Sequence, residues 1–199
     1  MNVLQAMNGA LMQAIGDPSV LICGQLVKYG LGGLTAGLYD KRPQQVITYP
    51  VCETLMNGTA MGLSLAGMRP VVIHERMDFL AVGMDPLVNH IPVWPKRQDM
   101  ALPLVILAVV GKGHGQGPQH SKNLTHWFRT FEGWTVVEPD SPRAAYDQLL
   151  SAIFGDKPVL YVAHREFFTR EDCFVTPAIN SVGLCGAARH FEEEHYRRG

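Results

Sequence analysis

A carboxylate where a strand gives way to a helix can move protons, and this chain has one at Glu53, within Val46-Ile-Thr-Tyr-Pro-Val-Cys-Glu53-Thr-Leu-Met-Asn-Gly58. In open α/β sheets, ligands gather beyond the carboxyl ends of strands, where such junctions lie. The same acid has a second explanation, because the positive end of a helix dipole favours a first-turn carboxylate whether or not it does chemistry. Cys52, directly before it, offers a thiol, yet thiolate chemistry needs a nearby cation or base and the sequence supplies no evident one. A second group of chemically able residues surrounds the glycine-rich run Gly111-Lys-Gly-His114-Gly-Gln-Gly-Pro118, with Gln119 and His120 immediately after it. An imidazole that titrates near neutrality, set between a loop and a helix, can face a pocket, and the backbone N–H groups there can meet an anion. A plain surface histidine is the alternative. The run lacks the Gly-Lys-Ser/Thr ending of a phosphate-binding loop and reads as a substrate loop or lid, on which His114 could also reach a substrate. His114, His120 and His126 are six apart, which suits neither one helical face nor a zinc finger, so no metal site is expected.

The elements that position these residues follow from periodicity. Helical spacing over Val3 to Ile15 ends at Gly16-Asp17-Pro18. Ser19 to Cys23 and Val46 to Tyr49 read as strands, separated by a glycine-rich loop over Gly24 to Pro43 with one helical turn near Thr35 to Tyr39. Leu55, Met56, Thr59, Ala60, Leu63 and Ala66 recur with helical spacing, which places a helix over Thr54 to Ala66. Pro70 to Ile73 is the next strand. Phe79 to His90 reads as a helix that Pro86 kinks or restarts. The unbroken apolar run Leu104 to Val110 is expected to be a central parallel strand covered on both faces. Ser121 opens a helix to about Phe131, Trp134 to Val137 is a strand, and Ser141-Pro142 caps and starts a helix to about Phe154. Pro158 to Ala163 closes the series. This alternation implies a three-layer α/β fold, an open and mainly parallel sheet with helices on both faces. Residues 1–168 are expected to form that domain and 169–199 a charged extension or tail.

Composition excludes several function classes. With 199 residues, nearly half of them apolar, the chain can bury a substantial core. A formal net charge of −1 carries no basic surplus for a phosphate backbone, so nucleic acid is not an expected partner. Cys23, Cys52, Cys173 and Cys185 form no Cys-x-x-Cys pair and read as reduced thiols of a cytoplasmic protein. No apolar run approaches the roughly 18 residues of a membrane span.

Several motifs, taken in order, carry a resemblance: Thr48-Tyr-Pro-Val-Cys-Glu53, Gly58-Thr-Ala-Met-Gly62-Leu-Ser-Leu-Ala66-Gly67-Met-Arg69-Pro70-Val, Met84-Asp85-Pro-Leu-Val-Asn89 and Gln119-His120-Ser121. From about Leu4 to Tyr161 the chain resembles the pyrimidine-binding domain of thiamine diphosphate enzymes, in particular the beta subunit of the decarboxylating component of 2-oxoacid dehydrogenases. The first motif is similar to the family's Thr-Pro-Ile-Ser-Glu, with Cys52 standing where serine is usual. By this resemblance Glu53 is the glutamate that bonds N1′ of the aminopyrimidine and favours the imino form, a role that an apolar surrounding from Tyr49, Leu55 and Met56 would assist. Phe79 is matched to an aromatic that stacks on the pyrimidine, although a core-facing Phe reads equally well. Met77 stands where the family often has another aromatic. His120 matches a histidine beside the substrate, with His114 and Gln119 on the same loop. Cys52 and Leu55 are assigned to the cofactor's surroundings.

The family holds the diphosphate through Mg²⁺ with a Gly-Asp-Gly motif, which is missing here; Gly16-Asp17 continues into Pro and Gly155-Asp156 into Lys. The resemblance therefore implies a diphosphate-binding alpha-type partner in a heterodimer or α2β2 assembly. It also implies thiamine diphosphate and Mg²⁺ at the shared site, and a small carbonyl substrate, a 2-oxoacid or ketose. Decarboxylation with oxidation, protonation or carboligation are all compatible with it. Two other readings stay open: a non-catalytic scaffold that keeps only the pairing surface, and an unrelated cysteine or metal hydrolase on a similar sheet.

Overall fold

A computed structural model describes residues 1–111 and 117–173. The β-branched runs become strands β1 (Val20–Gly24), β2 (Val46–Thr48), β3 (Arg69–His74), β4 (Val105–Val110), β5 (Thr135–Val137) and β6 (Val159–His164). They form one sheet in the order β2-β1-β3-β4-β6-β5, and every pairing is parallel. The helices are α1 (Val3–Ala14), α2 (Leu38–Lys41), α3 (Glu53–Leu65), α4 (Trp94–Gln98), α5 (Thr125–Thr130) and α6 (Pro142–Phe154).

Alternation along the strands sends side chains to two separate cores. Ile22, Val71, Ile73, Leu107 and Tyr161 pack beneath α1 and α6. Cys23, Val72, Ile106, Ala108 and Val162 pack on the other face with Met56 and Ala60 of α3 and Phe128 of α5. Strand β4, buried at every position, sits between β3 and β6 as its continuous apolar run leads one to expect. Tyr161 takes its phenol into the first core and donates to the Ala145 carbonyl at 2.8 Å, which satisfies the one polar atom that burial would otherwise penalise. At the edge, residues just past β6 turn back onto the chain's start. Val3 N–H donates to the Arg170 carbonyl at 3.1 Å, and Asp172 N–H to the Met1 carbonyl at 3.1 Å.

The expected helix over Phe79 to His90 is instead two tighter and looser turns, a 3₁₀ helix over Met77–Ala81 and a π-helix over Pro86–His90. Pro86 has no N–H to continue an α-helical ladder, and the chain is further constrained at Gly83, where it touches α3. The helix expected from Ser121 begins only at Thr125, after a 3₁₀ turn over Pro118–His120 and four residues without regular structure. Helix α4 is additional to the expected elements. Ser141 precedes α6 with extended backbone but its side chain makes no capping bond, while Pro142 does occupy the first helical position. Residues 174–199, most of the expected extension, lie outside the described residues.

Because Leu107 is wholly buried between neighbours on both sides, truncating it leaves a cavity that the parallel sheet cannot collapse to fill. Leu107→Ala is expected to lower unfolding free energy by about 2–5 kcal/mol, read from urea denaturation at unchanged m-value.

Candidate functional site at the β1/β3 crevice

From β1 the chain passes to β2 on one side, and after α3 it returns to β3 on the other. Where strand order reverses in this way, the loops part and leave a crevice at the carboxyl ends. The cleft found there is lined by Gln25 from beyond β1, Ile73, His74 and Glu75 from the end of β3, Glu53 and Met56 from α3, and Phe79 from the 3₁₀ turn.

Glu53 opens α3, and Cys52 before it is extended (φ −158°, ψ 92°), so the carboxylate enters the cleft with only 6% of the residue exposed. Gln25 Nε2 donates to Glu53 Oε1 at 3.3 Å. The first turn of α3 is fixed from behind by Gly83. A Cβ there would lie 2.6 Å from Asn57 Nδ2 and 2.9 Å from the Glu53 carbonyl oxygen, so only glycine allows this approach. Asn57, one turn after Glu53, donates from Nδ2 to the Gly83 carbonyl at 3.3 Å, which leaves its Oδ1 to accept from His74 Nε2–H at 2.9 Å. His74 is therefore held in one tautomer, and its complete burial pulls its pKa down to about 4. The thiol of Cys23, in the same core, is pushed up to about 12 by burial. Tyr49 is half-buried; burial raises its pKa, opposed by a hydrogen bond to Thr59.

Of the residues singled out from sequence, Glu53 and Phe79 share the cleft, and His120 meets Phe79 edge-on with ring centroids 5.4 Å apart at 87°. Met56 lines the cleft wall. Leu55 is 46% exposed on the outward face of α3, and Cys52 is exposed at its start with no capping bond from its thiol. Gln119 is exposed, and His114 lies outside the described residues. Met77, which stands where the resemblance leads one to expect an aromatic, is wholly buried away from the cleft. Its sulfur accepts from Leu124 N–H at 3.1 Å. Gln25, Asn57, His74 and Glu75 escaped the sequence reading. His74 alone carried a signal, as a polar residue directly after the apolar run Pro70 to Ile73. Among the described residues no three His, Cys, Asp or Glu side chains converge to hold a metal ion, and no helix is long and apolar enough to cross a membrane.

The domain family described as the transketolase pyrimidine-binding domain matches residues 2–169. The chain belongs to that family. Its relatives include the acetoin:2,6-dichlorophenolindophenol oxidoreductase subunit beta of Cupriavidus necator, 30% identical over 86% of this chain and 55% of that protein. The pyruvate dehydrogenase E1 component subunit beta of Leifsonia xyli is 32% identical over 80% of this chain and 49% of its own length. The 2-oxoisovalerate dehydrogenase subunit beta of Bacillus subtilis is 26% identical over 84% and 53%, respectively. The chain thus spans about half the length of the curated relatives it matches. Among solved structures, the split-gene transketolase in its inactive beta4 tetramer has the same fold, with a TM-score of 0.70, 17% identity, and coverage of 88% of this chain and 54% of that one. Within this pyrimidine-binding domain, the crevice at β1/β3 is lined by the buried Glu53 and by Phe79.

His74 gives the cleft floor a measurable pH signature. Its folded-state pKa, about 4, lies below the 6.5 of an ordinary histidine, so the unfolded chain takes up the proton first as pH falls. The stability of neutral His74 is fully present above pH 6.5 and is lost as pH drops through about 4, by an amount on the order of 3 kcal/mol. Equilibrium unfolding across that window is expected to show the loss, and His74→Gln, which keeps a donor for Asn57 without a titrating ring, is expected to flatten it.

Proposed function

We propose that the chain is the pyrimidine-binding, beta-type half of a two-chain thiamine diphosphate enzyme acting on a 2-oxoacid or a ketose-type substrate. The observation that carries this reading is that the buried Glu53 and Phe79 line one crevice of a transketolase-type pyrimidine-binding domain. The relatives named above as beta subunits support a second, alpha-type chain, to which the proposal gives the diphosphate and Mg²⁺.

The residues present fit the aminopyrimidine half of such a cofactor. A carboxylate can accept about four hydrogen bonds. Gln25 supplies one long one to Oε1, so Glu53 retains acceptor capacity for a protonated ring nitrogen while its setting excludes bulk water. Met56 and Ile73 supply apolar wall, and the Phe79 ring offers a flat face that orients a heteroaromatic plane without competing for its polar edge. Thiamine diphosphate, when bound, supplies the carbanion-stabilising chemistry that side chains lack. Glu53 holds and returns a proton at the pyrimidine nitrogen. Neutral His74 adds no positive charge beneath it and serves, through Asn57, to keep the first turn of α3 in place. His120, carried beside Phe79, stands where an imidazole can exchange a proton with a substrate oxygen. Cys52 and Leu55 lie next to Glu53 in sequence and are assigned to the rim that a partner chain would cover.

Recovering the tagged chain from its own host at native mass is expected to yield a larger assembly with a second polypeptide and bound thiamine diphosphate. In that assembly Glu53→Gln is expected to preserve pairing and lower turnover of 2-oxoacids by about 10²–10⁴-fold, the usual loss when a proton-transfer group is removed. Recovery without cofactor, or a Gln variant as active as its parent, would leave a non-catalytic scaffold as the better account.

A further inference from the structure

Three consecutive side chains of the 3₁₀ turn after β3 grip three points on the segment after Pro118. Met77 Sδ accepts from Leu124 N–H at 3.1 Å and lies 3.7 Å from Thr125 Oγ1. Asp78 Oδ1 accepts from Lys122 N–H at 3.1 Å. The Phe79 ring meets the edge of His120. The three grips differ in kind. Met77 is part of the core and would hold any chain that buried Leu124. Phe79 touches His120 through a ring contact that tolerates sliding. Asp78 makes a directional bond to the backbone two residues beyond His120, in the stretch 121–124 that has no helical or strand ladder of its own. The neighbouring bonds of that stretch are local: Ser121 Oγ donates to the Gly117 carbonyl at 3.0 Å, and Thr125 N–H donates to Asn123 Oδ1 at 2.9 Å. Neither ties the segment to β3.

We propose that Asp78 is a positioning residue: by holding the Lys122 backbone to the turn that carries Phe79, it fixes where His120 stands against Phe79, whose ring lines the Glu53 cleft. The placement rests on this chain alone, and its effect on turnover rests on the function proposed above. The role requires an oxygen acceptor at this spot, not a charge, so Asn can replace Asp and Ala cannot.

The test uses the full chain with labelled histidine, comparing the imidazole resonances of His120 in the parent, Asp78→Asn and Asp78→Ala. His120 is expected to move in the Ala variant and to stay in the Asn variant, while His74, held separately by Asn57, stays in both. In the reconstituted assembly, probed with thiamine diphosphate and Mg²⁺, the Ala variant is expected to bind cofactor within about twofold of the parent yet turn over 2-oxoacid up to ~100-fold more slowly, the scale of a misplaced reacting group; the Asn variant is expected to recover to within about threefold. The proposal is overturned if His120 does not move in the Ala variant or if Asn behaves like Ala. It is equally overturned if cofactor affinity falls in step with turnover, or if the Ala variant fails to fold while the Asn variant is native, since either assigns Asp78 a merely structural role. A parent assembly that binds no cofactor, or that survives Glu53→Gln unimpaired, counts against the proposed function instead, and the His120 resonances still decide the role of Asp78.

Discussion

The strands at the middle of the sheet have no wet face. β3 and β4 are buried almost throughout, so their side chains must be apolar on both sides and their backbone groups must all find partners in the parallel ladder. That requirement needs a helical layer on each side, which the two cores supply. It also confines polar chemistry to the strand ends. His74, last residue of β3, ends the apolar run at its carboxyl end, next to the reversal of strand order that opens the cleft.

Around that point the structure ties down the parts that line the cleft. The start of α3 is fixed by a glycine contact, an amide and a neutral imidazole, each satisfying the next. A cationic His74 would need its own counter-charge in the interior; burial keeps it neutral, so the support of Glu53 carries no net charge.

Strand positions are legible in the chain because burial on both faces leaves runs of Val, Ile and Leu that no loop would carry, as in Val105–Val110. Glu53 is legible because the junction of Val46–Thr48 with the following helix is local in sequence. The Phe79 to His90 stretch is not, since its composition is helical but Pro86 and the contact of Gly83 with α3 divide it into 3₁₀ and π turns. The partners of Glu53 are also illegible. Gln25 is 28 residues away and His74 reaches α3 only through a sheet register, so no spacing rule connects them. Leu55 illustrates the converse: proximity in sequence to Glu53 puts it on the opposite side of the same helix, facing out.

Both margins of the sheet are three-residue strands, β2 on one side and β5 on the other. Edges that short present few unpaired N–H and C=O groups in a row, which is one of the ways proteins discourage edge-to-edge aggregation. A second chain therefore gains little by extending this sheet. The surfaces left for any association are side chains on helices and loops, and a contact of that kind is specific to its partner where strand addition would accept many.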